Sequence, residues 1–259
     1  MVSAQVARGY ALASIEYRLA TVASDGRTVS SFPGAIWDVK LAIRYVKANA
    51  VTLGLDPDEV ILAGGSAGGH LAAFVGATRG RFEPPDVPVP RDTRWDSSVR
   101  GVVDLVGPTH LATFERTGHA WAAPLTATFL GCAIPSESDP FPCPDELLEV
   151  ASVAPWVDRT DPPIFLAYGA HDELVVPATQ GEPLARVWLD AHNGNPASVR
   201  YLVVEDGGHT LPDDELVGPL GEFVDDVTRS SRTLAWQSSN REAGRASSPA
   251  SRERAANVP

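Results

Sequence analysis

A serine with a glycine two residues away on each side, Gly64-Gly65-Ser66-Ala67-Gly68, lies between an apolar run, Val60-Ile61-Leu62-Ala63, and a helix-like one, Leu71-Ala72-Ala73-Phe74-Val75. In that setting Gly-x-Ser-x-Gly is a nucleophile elbow: a strand reverses sharply into a helix and leaves the hydroxyl exposed on strained backbone. A Cβ at Gly64 or Gly68 is expected to collide with the neighbouring strand and helix. The helix start also offers the amide of Ala67 to a developing oxyanion.

A serine hydroxyl is a poor nucleophile until a base takes its proton and a third group orients that base. Two later loops supply such groups. Ile164-Phe165-Leu166-Ala167-Tyr168 runs into Gly169-Ala170-His171-Asp172, and Val199 to Val204 runs into Glu205-Asp206-Gly207-Gly208-His209. Ser66 is therefore the expected nucleophile, His209 the general base and acid, and Asp172 the orienting carboxylate. Asp161 precedes its strand and Glu173 lies one step further round the turn, so both are weaker acids for the role. His171 neighbours the acid, His192 sits at a helix end, and His70 follows the elbow, where a structural role is expected. His110 and His119 fall in a segment read below as a lid, with surface positions as the default.

These residues need a frame to hold them. Ile36, Val39, Ile43, Val46 and Ala50 recur at helical spacing, with Pro33 in the opening turn and Gly54 as a stop. Strands are expected over Gly9–Arg18, Val60–Ala63, Val99–Val106, Ile164–Tyr168 and Val199–Val204, with helices around 71–79, 178–192 and 213–228. Strands alternating with helices make parallel βαβ units and a doubly wound sheet with helices on both faces. Residues 81–98, rich in Pro, Asp and Arg, read as a surface loop. Residues 109–150 have no clear strand and several aromatics (Phe114, Trp121, Phe129, Phe141), as expected of a lid over a site. From about Arg229 the chain turns polar, Ser/Arg/Ala-rich and aperiodic, so 229–259 is expected to be a disordered tail.

A formal net charge of -12 argues against a nucleic-acid partner. No apolar run reaches the ~20 residues of a membrane span, and the first ten residues carry no signal-peptide pattern. The two cysteines, Cys132 and Cys143, lack the spacing of a zinc site, and no metal or organic cofactor is implied. Two free thiols and a short disulfide across a Pro-rich loop are equal readings on this basis.

Gly9 to Leu19, Phe32-Pro33, Asp38-Val39-Lys40 and Gly65 to Ala72 together resemble the esterase/lipase branch of the α/β-hydrolases. The pattern is most similar to the BD-FAE-like carboxylesterases, related to the hormone-sensitive-lipase group, from about residue 9 to 227. The resemblance implies an α/β-hydrolase catalytic domain over 1–228, with 109–150 as its lid. It also implies cleavage of small-molecule carboxylic esters through an acyl-enzyme. Phe129-Leu130-Gly131-Cys132 with Cys143 resembles a segment of that branch in which the two cysteines are bridged, which implies a disulfide and an exported protein. Without the bridge, the cytoplasm is the default.

One departure counts against a simple transfer. The branch carries a His-Gly-Gly-Gly loop whose amides complete the oxyanion hole, and no His-Gly-Gly precedes Ser66. The resemblance thus implies missing N-terminal strands and an incomplete oxyanion hole; losing one such donor typically costs ~10²–10³ in turnover. Amide, formamide or peptide hydrolysis on the same triad and an inactive, truncated remnant are the competing expectations. Acyl length and oligomeric state are not legible.

Overall fold

The computed structural model describes residues 2–85 and 95–228. The expected tail at 229–259, and 86–94 of the expected loop at 81–98, lie outside the described residues. The elements in order are α1 (Val2–Ala7), β1 (Thr21–Val22), β2 (Thr28–Val29), α2 (Gly34–Ala48), α3 (Ala50–Leu53), β3 (Ile61–Gly65) and α4 (Ala67–Ala77). Then come β4 (Gly101–Leu105), α5 (Leu111–Glu115), α6 (Ala122–Leu130), α7 (Asp145–Ala151), β5 (Ile164–Gly169), α8 (Gly181–Ala191) and β6 (Val199–Val204). A last helix, α9, covers 213–228.

The four longer strands form one parallel sheet in the order β3-β4-β5-β6, while β1 and β2 make a separate antiparallel pair. β4 and β5, apolar but for Asp104, are buried along their whole length, the signature of central strands covered on both faces. One face packs Val102, Ile164, Leu166 and Tyr168 against Ile36, Val39 and Ile43 of α2, Phe74 of α4 and Trp188 of α8. The opposite face packs Val103, Leu105, Phe165 and Ala167 under Leu216, Leu220, Phe223 and Val224 of α9. The expected doubly wound arrangement is the one observed. Gly54 ends α3 at φ 69°, a left-handed position that glycine takes without steric cost.

One expected strand does not form. Residues 9–20, including the expected strand Gly9–Arg18, join no ladder, and Leu12 and Leu19 stand 56% and 70% exposed. β-propensity becomes a strand only when a neighbour accepts its hydrogen bonds. Among the described residues none pairs with this stretch. Among the described residues the outer edge of β3 likewise carries no partner, and Ala63 and Gly65 on it are exposed.

Candidate active site

The turn from β3 to α4 holds Ser66 at φ 53° and ψ -120°, a region costly for any residue with a Cβ. Two backbone bonds over-determine it. The Ser66 N–H donates to the Leu105 carbonyl at the end of β4 (2.8 Å), and the His70 N–H donates to the Ser66 carbonyl (3.0 Å). A Cβ at Gly64 would stand 2.1 Å from the Gly68 carbonyl oxygen, so the strand can approach the helix only as glycine. Gly68 departs from expectation: a Cβ there meets no described atom within 4 Å. The tight contact falls on Gly69, whose Cβ would lie 2.2 Å from Asp104 Oδ1. Ala67 is the first residue of α4, so its N–H has no acceptor within the helix.

The loops after β5 and β6 converge on this serine. His209 Nε2 lies 2.9 Å from Ser66 Oγ, and His209 Nδ1 lies 2.8 Å from Asp172 Oδ2. The other carboxylate oxygen of Asp172 accepts the Leu174 and Val175 N–H groups, both at 2.9 Å, which fixes the rotamer of a buried side chain. The two loops touch directly: the His171 N–H donates to the Gly207 carbonyl (2.8 Å), and a Cβ on Gly169 would lie 2.2 Å from the Gly208 carbonyl oxygen. Gly169 and Gly207 are thus what lets the loops carrying Asp172 and His209 run side by side. The sequence signal for them was a glycine at each strand exit.

The rival residues stand elsewhere. Glu173 and His171 are exposed. His192 caps α8, its Nε2 3.0 Å from the Asp161 carbonyl. Asp161 is buried, its carboxyl pushed up to about 6, chiefly by desolvation. His110 caps α5 by accepting the Thr113 N–H, and His119 accepts the Trp121 N–H. His70 is fully enclosed: its Nδ1–H donates to the Pro108 carbonyl (2.7 Å), while its Nε2 has no partner. Burial lowers its pKa to about 4.

Two buried side chains that sequence reasoning passed over bind the rim together. Gln180 accepts the Thr109 and His110 N–H groups on Oε1 and donates from Nε2 to Thr113 Oγ1 (2.9 Å) and the His110 carbonyl. It thereby ties the exit of β4 to the segment after Asp172. Asp104, the one charged residue inside β4, accepts the Gly107 N–H on Oδ1 (2.8 Å). Its Oδ2 lies 3.1 Å from the Tyr168 hydroxyl, which is also 2.8 Å from the Gly107 carbonyl. A lone acid in an apolar run was the available signal.

Over 109–150 the structure has three short helices, α5 to α7. Cys132 and Cys143 are joined in a disulfide between α6 and α7. Arg116 bonds Asp145 (3.0 Å) and lies over the Phe141 ring. Among the described residues no cluster of His, Cys, Asp or Glu could hold a metal ion, and no helix is long and apolar enough to cross a membrane.

The profile of the BD-FAE family matches residues 1–188. Esterase LipC of Mycobacterium tuberculosis is 28% identical over 249 residues, covering 91% of this chain and 55% of LipC. Carboxylesterase NlhH of the same species is 30% identical over 197 residues, covering 64% of this chain and 58% of NlhH. The chain therefore spans little more than half the length of these relatives. Among solved structures, a truncated form of a carbohydrate esterase from gut microbiota superposes with a TM-score of 0.61 at 26% identity, covering 76% of this chain and 70% of that one. With the family profile running over most of its length and this α/β-hydrolase sheet beneath it, the chain belongs to the BD-FAE family.

Proposed function

We propose that this chain hydrolyses carboxylic esters, with Ser66 as nucleophile, His209 as general base and acid, and Asp172 as the group that orients the imidazole. The observation that carries the reading is the unbroken line from Asp172 Oδ2 to His209 Nδ1 (2.8 Å) and from His209 Nε2 to Ser66 Oγ (2.9 Å). Hydrogen-bond reach between nucleophile, base and orienter is what this chemistry demands.

In the proposed cycle the Ser66 Oγ–H proton passes to His209 Nε2 as Oγ bonds to the ester carbonyl carbon. The carbonyl oxygen becomes an anion and accepts the Ala67 N–H. Collapse breaks the bond to the alcohol oxygen, which takes the proton from His209 and leaves. Water then attacks the acyl-enzyme, giving its proton to His209, and the acid departs as that proton returns to Ser66 Oγ. Asp172 stays the acceptor of Nδ1–H throughout. Residues 109–150 form the lid, with exposed Trp121 and Leu125 as its apolar face.

The likeness to a carbohydrate esterase supports acylated sugars as substrates to try beside short-chain p-nitrophenyl esters. The test is turnover of that panel, with formamide and peptide substrates alongside, and labelling by a fluorophosphonate. Ester turnover and labelling that vanish together in Ser66→Ala are expected. Turnover that survives Ser66→Ala overturns the mechanism, a preference for formamides overturns the substrate class, and an unlabelled, inactive wild type overturns both.

A further inference from the structure

Asp104 plays no part in the cycle above, yet it is among the most enclosed side chains of the molecule. It lies in β4 opposite Gly64 of the elbow strand. Its Oδ1 accepts the Gly107 N–H and abuts Gly69 in the first turn of α4. Its Oδ2 faces the Tyr168 hydroxyl of β5, which faces the Gly107 carbonyl in turn. Between them, these contacts clamp the turn at 104–107, where Val106 sits at φ 51°. From that turn the Leu105 carbonyl holds the Ser66 N–H.

A count of protons is decisive here. The Gly107 carbonyl can only accept, and the Tyr168 hydroxyl has a single proton to give. If that proton goes to Gly107, the closer partner, then the contact to Asp104 Oδ2 is filled only when the carboxyl supplies a proton of its own. We propose that Asp104 is a positioning residue that acts as a neutral carboxylic acid. Its Oδ2–H donates to the Tyr168 hydroxyl, and the Tyr168 O–H donates to the Gly107 carbonyl. The chain of bonds fixes the turn that sets the nucleophile's backbone.

The surroundings support this. Among the described residues no cation pairs with Asp104, and an ionised carboxylate without a counter-charge is costly in such a site. Burial pushes the carboxyl up to about 7, against the pull of the Tyr168 and Gly107 contacts. The titratable groups around it are few. From β5 it meets Tyr168, itself driven well above its ordinary value by burial and then by Asp104, with Tyr201 and Asp172 adding to the same effect. From α4 the neighbouring His70 turns its ring to Pro108 instead.

This inference rests on Ser66 being the nucleophile, and its test separates the two ideas. Asp104→Asn puts an amide N–H where the acid O–H is proposed, Tyr168→Phe deletes only the hydroxyl, and Asp104→Ala removes the clamp. In the full chain, Asp104→Asn should retain kcat within about threefold, while the other two should lose kcat by up to about 10²-fold with KM little changed, as expected for small misplacement of reacting atoms. Fluorophosphonate labelling rates should follow kcat. Difference infrared spectra at pH 6 should show a protonated-carboxyl C=O band in wild type that Asp104→Asn lacks. Loss of kcat in Asp104→Asn equal to that in Asp104→Ala, or the absence of the acid band, overturns the proposal. Because the infrared band needs no turnover, it reads the proton on Asp104 even if the reading of Ser66 fails. It also serves if Asp104→Ala does not fold.

Discussion

The most direct physical handle on this site is His70, through the pH dependence of folding. Its ring lies between Phe74 and Phe129, with centroids 5.8 and 5.4 Å away. Nδ1–H is satisfied by Pro108, but a proton added at Nε2 would be buried with no acceptor. Folding therefore holds the imidazole neutral down to about pH 4, whereas in the unfolded chain it charges near 6.5. Between those values the unfolded state binds the extra proton, so stability falls as pH falls, and the contribution is fully present above 6.5. At about 1.4 kcal/mol per pH unit, the gap amounts to ~3 kcal/mol. His70→Asn keeps an amide N–H close to the position of Nδ1, so Pro108 stays bonded, but it cannot titrate. Asp104 and Asp161, raised to about 7 and about 6, have the opposite sign: the fold holds their protons longer, and stability falls as pH rises through those values. Both proteins carry them, so they cancel in the difference. Urea unfolding at intervals from pH 4 to 7.5 should show the wild type losing ~3 kcal/mol more than His70→Asn on acidification. Parallel stability curves for the two proteins would refute the account of a neutral, half-satisfied His70.

Other outcomes follow from the same geometry. Gly69→Ala drives a Cβ to 2.2 Å from Asp104 Oδ1 and should cost at least about 1–3 kcal/mol by overpacking, whereas Gly68→Ala should be neutral or gain about 0.5–1 kcal/mol in a helix; thermal melts of the pair decide it. Gln180→Leu strips partners from Thr109, His110 and Thr113 and should lose about 2–4 kcal/mol, since buried groups are left unpaired, read by urea unfolding. Cys132→Ser/Cys143→Ser opens a short loop of separation 11 and should lose about 3 kcal/mol, a loss that reductant should reproduce in the wild type and not in the variant.

The three proposed triad residues were legible because each stands at the exit of an apolar run, where a parallel sheet brings loops together. β4, β5 and β6 could be read for the same reason, and α2 from its 3.6-residue stripe. What escaped reading depends on contacts distant in sequence. That Gly69 rather than Gly68 is the packed glycine follows from where Asp104 sits across the sheet, and nothing near residue 69 carries that information. Gln180 reads as a polar residue before a helix until the exit of β4 arrives to fill all its bonding positions. The stretch at 9–18 failed in the opposite direction: its composition suits a strand, but pairing is a property of two strands and no described residue supplies the second. The helices of 109–150 are too short to persist on local propensity; they are held by burying Leu111, Phe114, Ala127, Leu130 and Leu148 in the core, with the disulfide joining the segments after α6 and before α7.

Two non-glycine residues with left-handed φ, Ser66 and Val106, stand at the ends of adjacent strands. Each costs roughly 1–3 kcal/mol of backbone strain, and a domain of this kind has only about 5–15 kcal/mol of net stability. The strain persists because the two turns brace each other. Leu105 accepts the Ser66 N–H, the Val106 N–H donates to the Ala167 carbonyl of β5, and Asp104 and Tyr168 close on Gly107. At about 1 kcal/mol for each buried bond, those contacts offset the strain only as a set. Ala167 lies five residues before Asp172, so the strand that launches the acid loop also steadies the turn behind the serine. Ser66 and Asp172, the proposed nucleophile and orienting acid, are thus registered to each other through β4, independently of the histidine that bridges them. A site built this way holds its geometry without a ligand, which is what the proposed acyl transfer would require of it.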